Sequence, residues 1–178
     1  EEMVARMRNL DSSRSSARSL TEFAAALLAV LWACHTAGRL QGRCLGLARS
    51  ALARAAGALD ARGATPLGSS GEETPLAASG GPHIVLDLAD RLVIQKPPGW
   101  EVEPGSGRHK SLASFVQAWL PPSRWPLVAD AGCQYGFLHR LDVPGSGLIL
   151  LAKTYGAYFD LRVQLSIGQL VRDYVVLC

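Results

Sequence analysis

The spacing of apolar positions divides the chain into three stretches. From Ser19 to Leu59 apolar residues recur every three or four positions with arginines between them, the period of helices that bury one face. The pattern predicts one helix from Ser19 to about Cys34, ending near Gly38, and a second from about Leu40 to Leu59, stopped by Gly63. Ser19-Leu20-Thr21-Glu22 has the form of a capping box, with Ser19 accepting an amide of the first turn and Glu22 reaching back to the cap. Two helices joined by a short turn make an αα-hairpin. Residues 1–62 are therefore expected to be a helical N-terminal segment, opened by a Ser/Arg-rich, linker-like stretch from Asn9 to Ser19.

Residues 63–82 are dominated by Gly, Pro, Ser and Thr. Such a stretch has too little apolar surface to offset the entropy of ordering it, and it reads as a linker. From His83 the period changes to that of short strands. His83–Leu88 and Leu92–Ile94 are apolar and β-branched, and Lys96-Pro97-Pro98-Gly99 ends the second with a rigid turn. Ser111 is placed to cap a helix over Leu112–Leu120 that Pro121-Pro122 stops, and a loop follows from Ser123 to Tyr135. Leu148–Ala152 is a buried strand by its unbroken apolar run, and a helix from about Tyr155 to Ile167 is closed by Gly168. Leu170–Cys178 reads as a last strand. Strands with interspersed helices and short links indicate an α+β domain over 83–178.

Charge refines this division. Residues 1–62 carry nine Arg and five acids, a balance of +4, whereas residues 63–178 carry nine Lys or Arg and ten acids, a balance of −1. The helical segment is thus the part with loose attraction for phosphate, unless its arginines only line a solvated face. Cys34, Cys44, Cys133 and Cys178 are widely spaced, with no C-x-x-C pair, unlike a disulfide framework or a zinc site. Reduced thiols favour an intracellular compartment, cytoplasmic or organellar. Phe23–Cys34, the longest apolar run, is shorter than the roughly 20 residues a bilayer requires, so a buried helix is expected and no membrane partner.

The candidate chemistry lies in His139-Arg140-Leu141-Asp142 and the turn Val143-Pro144-Gly145-Ser146-Gly147 that feeds the strand after it. A single carboxylate at a strand end beside a glycine turn is where a rigid scaffold presents a reactive group. By residue type alone Asp142 could equally be an Asx-turn residue before Pro144-Gly145. In an extended segment Arg140 shares its side with Asp142, and His139 points the other way as a hydrogen-bonded structural residue.

The run His139–Leu148 resembles the active-site motif of the RluA-type RNA pseudouridine synthases. Three further segments resemble that family in the same order. They are Leu92–Trp100 with its KPPG turn, Leu148–Thr154 (LILLAKT), and Arg172-Asp173-Tyr174. Gln95, Trp100 and Arg172 depart from the commoner family residues, and none of the three removes a catalytic group. The resemblance implies a mostly antiparallel central sheet with flanking helices around an RNA-binding cleft. It covers about residues 83–178, read as the front part of a catalytic domain that is incomplete at its C-terminus.

The resemblance also implies a function: isomerisation of uridine to pseudouridine in rRNA or tRNA, with Asp142 as the catalytic residue. That chemistry needs no cofactor and no metal. Arg140 would fill the space left by a flipped uridine or hold a phosphate, Arg172 would meet RNA backbone, and Tyr174 would stack on uracil from an adjacent strand. Lys96 would steer phosphate or cover the turn with its stem. The family's second half supplies an Arg that pairs with the catalytic Asp, and without it the 178-residue chain is expected to be inactive. The alternative function is a non-catalytic RNA-binding or interaction module on the same scaffold.

Overall fold

The computed structural model describes residues 17–62, 80–104 and 110–175. The stretch 63–79, which holds most of the expected linker, lies outside the described residues. By contacts the described residues divide into two compact units. One joins the residues up to Ala55 with those from Phe159 onward, and the other runs from Ala56 to Tyr158.

In the first unit, helix α1 spans Ala17–Thr36. It buries Leu20, Ala24, Leu27, Leu28 and Leu31, one face at three- and four-residue spacing. It begins before Ser19, so Ser19 and Glu22 do not form the expected capping box. Glu22 instead pairs with Arg18 one turn earlier at 2.9 Å. By length and apolarity α1 would suffice to cross a membrane. Its buried residues follow a single face, which is how a helix packs on protein. The turn after it is closed by Gly38 at a φ of 65°. Helix α2 spans Gly42–Asp60, and its Arg49 donates to the Gln169 side chain at 3.3 Å.

The second unit is organised by an antiparallel sheet. Strand β1 (His83–Asp87) pairs with β2 (Arg91–Lys96), with a register shift between Ile84 and Leu86. Strand β5 (Gly147–Ala152) pairs with β2 on its other side, with Lys96 opposite Gly147 and Arg91 opposite Ala152. Between β2 and β5 the chain forms the short parallel pair β3 (Trp100–Glu101) and β4 (Lys110–Ser111), then helix α3 (Leu112–Trp119). Ser111 caps α3 as expected, accepting the Ser114 amide at 3.4 Å. The expected loop from Ser123 to Tyr135 contains two 3₁₀ turns, Pro126–Ala129 and Ala131–Gly136.

The core lies where β2 and β5 meet α3: Leu92, Ile94, Ile149 and Leu151 pack with Leu112, Val116, Leu120 and Phe137. The α+β reading is therefore the observed architecture. At the far end of the sheet the buried Lys153 pairs with Asp87, and its ammonium lies 5.5 Å from the Trp119 ring and 5.6 Å from the Trp125 ring. Desolvated cation–ring contacts of this kind are stronger than exposed ones, and they fasten β1 to the rest of the unit.

Helix α4 spans Tyr155–Ser166. Its first turn is capped from a distance. The Asp60 carboxylate, at the end of α2, accepts the amides of Tyr155 at 2.8 Å and Gly156 at 3.1 Å. Two of the orphan amides of the helix are thereby satisfied, and the negative charge faces the positive end of its dipole. The Tyr155 phenol donates to Asp130 at 2.8 Å, and burial together with that bond pushes its pKa far above the ordinary value. Asp60→Ala is expected to lower stability by about 0.5–2 kcal/mol, with Asp60→Asn losing less. Urea unfolding of the three proteins checks this.

The expected strand from Leu170 to Cys178 is not found. Residues 170–175 carry no regular structure, and 176–178 lie outside the described residues. A strand needs a neighbouring ladder for its amides and carbonyls. None of the described strands pairs with this segment. Val175 is accordingly 95% exposed.

Candidate active site

The candidate site begins with the alternation along β2. Leu92, Ile94 and Lys96 occupy its inward face, because side chains two apart on a strand share a side. Lys96 therefore enters the interior at the strand's end, and it is fully buried. Its ammonium donates to three carbonyls: Pro97 at 3.2 Å, Val143 at 3.3 Å and Gly145 at 2.5 Å. Two of these belong to the turn that follows Asp142. Burial holds the lysine below its ordinary pKa of 10.5, and attraction to the Asp142 carboxylate partly offsets that shift.

A second fastening comes from the KPPG turn. The Gly99 amide donates to the Val143 carbonyl at 2.8 Å, with Gly99 at a φ of 80°. A residue with a side chain adopts that backbone only with strain. The turn itself closes through the Gly145 amide on the Asp142 carbonyl at 3.0 Å. Asp142 thus stands exposed on a loop whose main chain is held from below by Lys96 and from the side by Gly99.

The approach to Asp142 is fixed against β5. Phe137 forms a bridge with Leu151, and the Leu138 amide donates to the Leu150 carbonyl at 3.1 Å. His139 accepts the Leu150 amide on Nε2 at 3.2 Å, so that nitrogen carries no proton. His139 has the structural role expected for it. Ahead of this segment Gln134, Tyr135 and Gly136 all have positive φ, at 52°, 54° and 83°. A Cβ on Gly136 would stand 2.5 Å from the Ala152 carbonyl oxygen. Gly136→Ala is therefore expected to cost more than about 2 kcal/mol, from the left-handed backbone and the clash together. Thermal unfolding against the parent chain measures it.

Of the residues singled out in the sequence, the structure brings Lys96 and Asp142 together. Arg140 is exposed two residues before Asp142. Lys96 is fully buried, with its ammonium on the carbonyls of the turn. Arg172 and Tyr174 are exposed on the irregular segment after α4, in the first unit. The anchoring role of Lys96 was missed in the sequence, although the alternation Leu92-Ile94-Lys96 already carries the signal. The Gly99 amide could not be found that way, because a main-chain donor leaves no trace in residue type.

The family described as RNA pseudouridylate synthase matches residues 90–178, and the chain belongs to that family. Among similar curated proteins is the ribosomal large subunit pseudouridine synthase D of Blochmanniella floridana. It is 32% identical over 92 residues, covering 52% of this chain and 27% of the relative. The synthase D of Nitrosomonas europaea is 36% identical over 88 residues, covering 48% and 24%. That of Pasteurella multocida is 34% identical over 92 residues, covering 52% and 27%. The chain thus spans about a quarter of the length of these relatives. No solved structure matches it.

Proposed function

We propose that the protein to which this chain belongs isomerises uridine to pseudouridine in ribosomal RNA, with Asp142 as its catalytic carboxylate. The observation that carries the reading is the placement of Asp142: an exposed acid on a turn fastened by Lys96 and Gly99. A rigidly held but accessible carboxylate suits a base that must be brought out of its stack and presented to it. Ribosomal RNA is favoured over tRNA because the relatives are named for the large ribosomal subunit.

The reaction breaks the N1–C1′ bond, turns the uracil and rejoins it through C5. The carboxylate serves by attacking C1′, by stabilising positive charge there, or by removing a sugar proton. Arg140, exposed beside it, is proposed to occupy the gap left by the flipped uridine or to hold a phosphate. Arg172 and Tyr174 are proposed as RNA contacts on their resemblance to the family motif. The full-length protein incubated with unmodified ribosomal RNA, and separately with tRNA, tests the reading by chemical mapping of pseudouridine. New pseudouridine in ribosomal RNA supports it, conversion only in tRNA corrects the substrate, and none in either rejects it.

A further inference from the structure

The residue that follows Gly99 is Trp100. The Gly99 amide is bonded to the carbonyl of the residue after Asp142. The main chains of Trp100 and Asp142 are therefore each one residue, about 3.8 Å, from one hydrogen bond. Trp100 is half-buried and packs against the core cluster, its ring perpendicular to that of Phe115, at 6.4 Å and 85°. Its register partner on β4 is Lys110, which is exposed and holds its ammonium 5.6 Å from the Trp100 ring centroid. An aromatic ring fixed by packing and a solvent-facing cation thus stand together on the strand pair that follows the KPPG turn, whose main chain is bonded to the proposed catalytic turn.

We propose that Trp100 and Lys110 form a subsite for a nucleotide flanking the target uridine, with the indole stacking on its base and the Lys110 ammonium binding its phosphate. The proposal rests on the reading of Asp142 given above and adds the residues that hold the neighbouring nucleotide. The ring suits the task because Phe115 and the β3–β4 pairing hold it before RNA arrives, so little ordering is needed on binding. Lys110 suits it because a lysine is a compact charge with rotatable donors on a flexible stem. Base and ammonium compete for one face of the ring. An exposed cation–ring contact is weaker than a base–aromatic stack, so the base displaces the ammonium toward the phosphate. A uridine drawn out of its stack leaves neighbours that have lost a stacking partner, and the indole replaces it for one of them.

The test uses the full-length protein carrying Asp142→Asn, so that binding is read without turnover, and fragments of large-subunit ribosomal RNA as probe. Trp100→Leu is expected to weaken binding about tenfold, within the range of one base–aromatic stack. Trp100→Phe is expected to recover most of that loss. Lys110→Ala is expected to reduce the slope of log Kd against log salt by about 0.7, one single-strand phosphate contact. In the active protein, KM for the RNA rises with the loss of affinity. Unchanged Kd and unchanged salt slope in folded variants, judged by thermal unfolding, overturn the subsite. If the variants weaken binding but the active protein makes no pseudouridine, the subsite stands and the reaction assignment falls. If no RNA binds at all, both fall.

Discussion

Lys96→Met is expected to lower the rate of pseudouridine formation about 100-fold while leaving affinity for RNA nearly unchanged. The substitution keeps the apolar stem and removes the ammonium. Three carbonyls lose a donor, but Val143 still accepts the Gly99 amide, so Pro97 and Gly145 are left with the deficit. A stranded buried acceptor costs about 1–3 kcal/mol. Part of that is returned because a buried ammonium is itself costly. A net stability loss of about 1–3 kcal/mol follows. The larger effect is on geometry, since a displacement of about 1 Å in a reacting group lowers rates by roughly 100-fold. A purely structural role would reduce the amount of folded protein without changing kcat per folded molecule. A positioning role lowers kcat itself.

The same lysine gives the chain a pH signature. Its pKa in the folded protein lies below 10.5, so as pH falls from 10.5 the unfolded chain takes up the proton first. Uptake by the unfolded state lowers stability, and this contribution is therefore most favourable at alkaline pH and lost on the way down. The stability difference between parent and Lys96→Met should accordingly widen as pH rises toward 10.5. Urea titrations at several pH values read it directly.

Much of the α+β architecture was legible because it rests on local pattern. The alternation in Leu92–Lys96, the apolar run Leu148–Ala152 and the Ser111 cap each specify their element through neighbours in sequence. The features missed depend on distant partners. Arg18 competes with the cap amide for Glu22, and nothing in the capping-box pattern registers that competition. Leu170–Cys178 has the composition of a strand, but composition supplies no ladder. Asp60 went unremarked in the sequence because its work as the cap of α4 joins positions 95 residues apart. Removing residues 1–62 would also remove this cap. A truncation of that segment would report on folding as well as on RNA affinity.

The candidate site was legible in its motif and less so in its support. The motif around Asp142 is contiguous, so residue type and order identify it. What holds it is assembled from β2 and the KPPG turn, nearly fifty residues away. The burial of Lys96 was not legible from its charge, for a physical reason. Charge suggests solvent, whereas strand alternation places this lysine inside, and three carbonyls supply the partners that burial demands.

Asp142→Asn is expected to abolish the reaction. The amide keeps the shape of the side chain and removes its charge, nucleophilicity and basicity. All three routes open to the carboxylate need one of these properties. The loss should be on the order of 10⁴-fold, the upper end of what a positioned acid–base group supplies. Because Asp142 is exposed and the turn is held through its main chain, the variant should unfold at the same temperature as the parent. The most direct test compares the full-length parent and its Asp142→Asn variant, at equal folded concentration, by mapping pseudouridine in ribosomal RNA treated with each. The account predicts modification by the parent and none by the variant; undiminished modification by the Asn variant would contradict it.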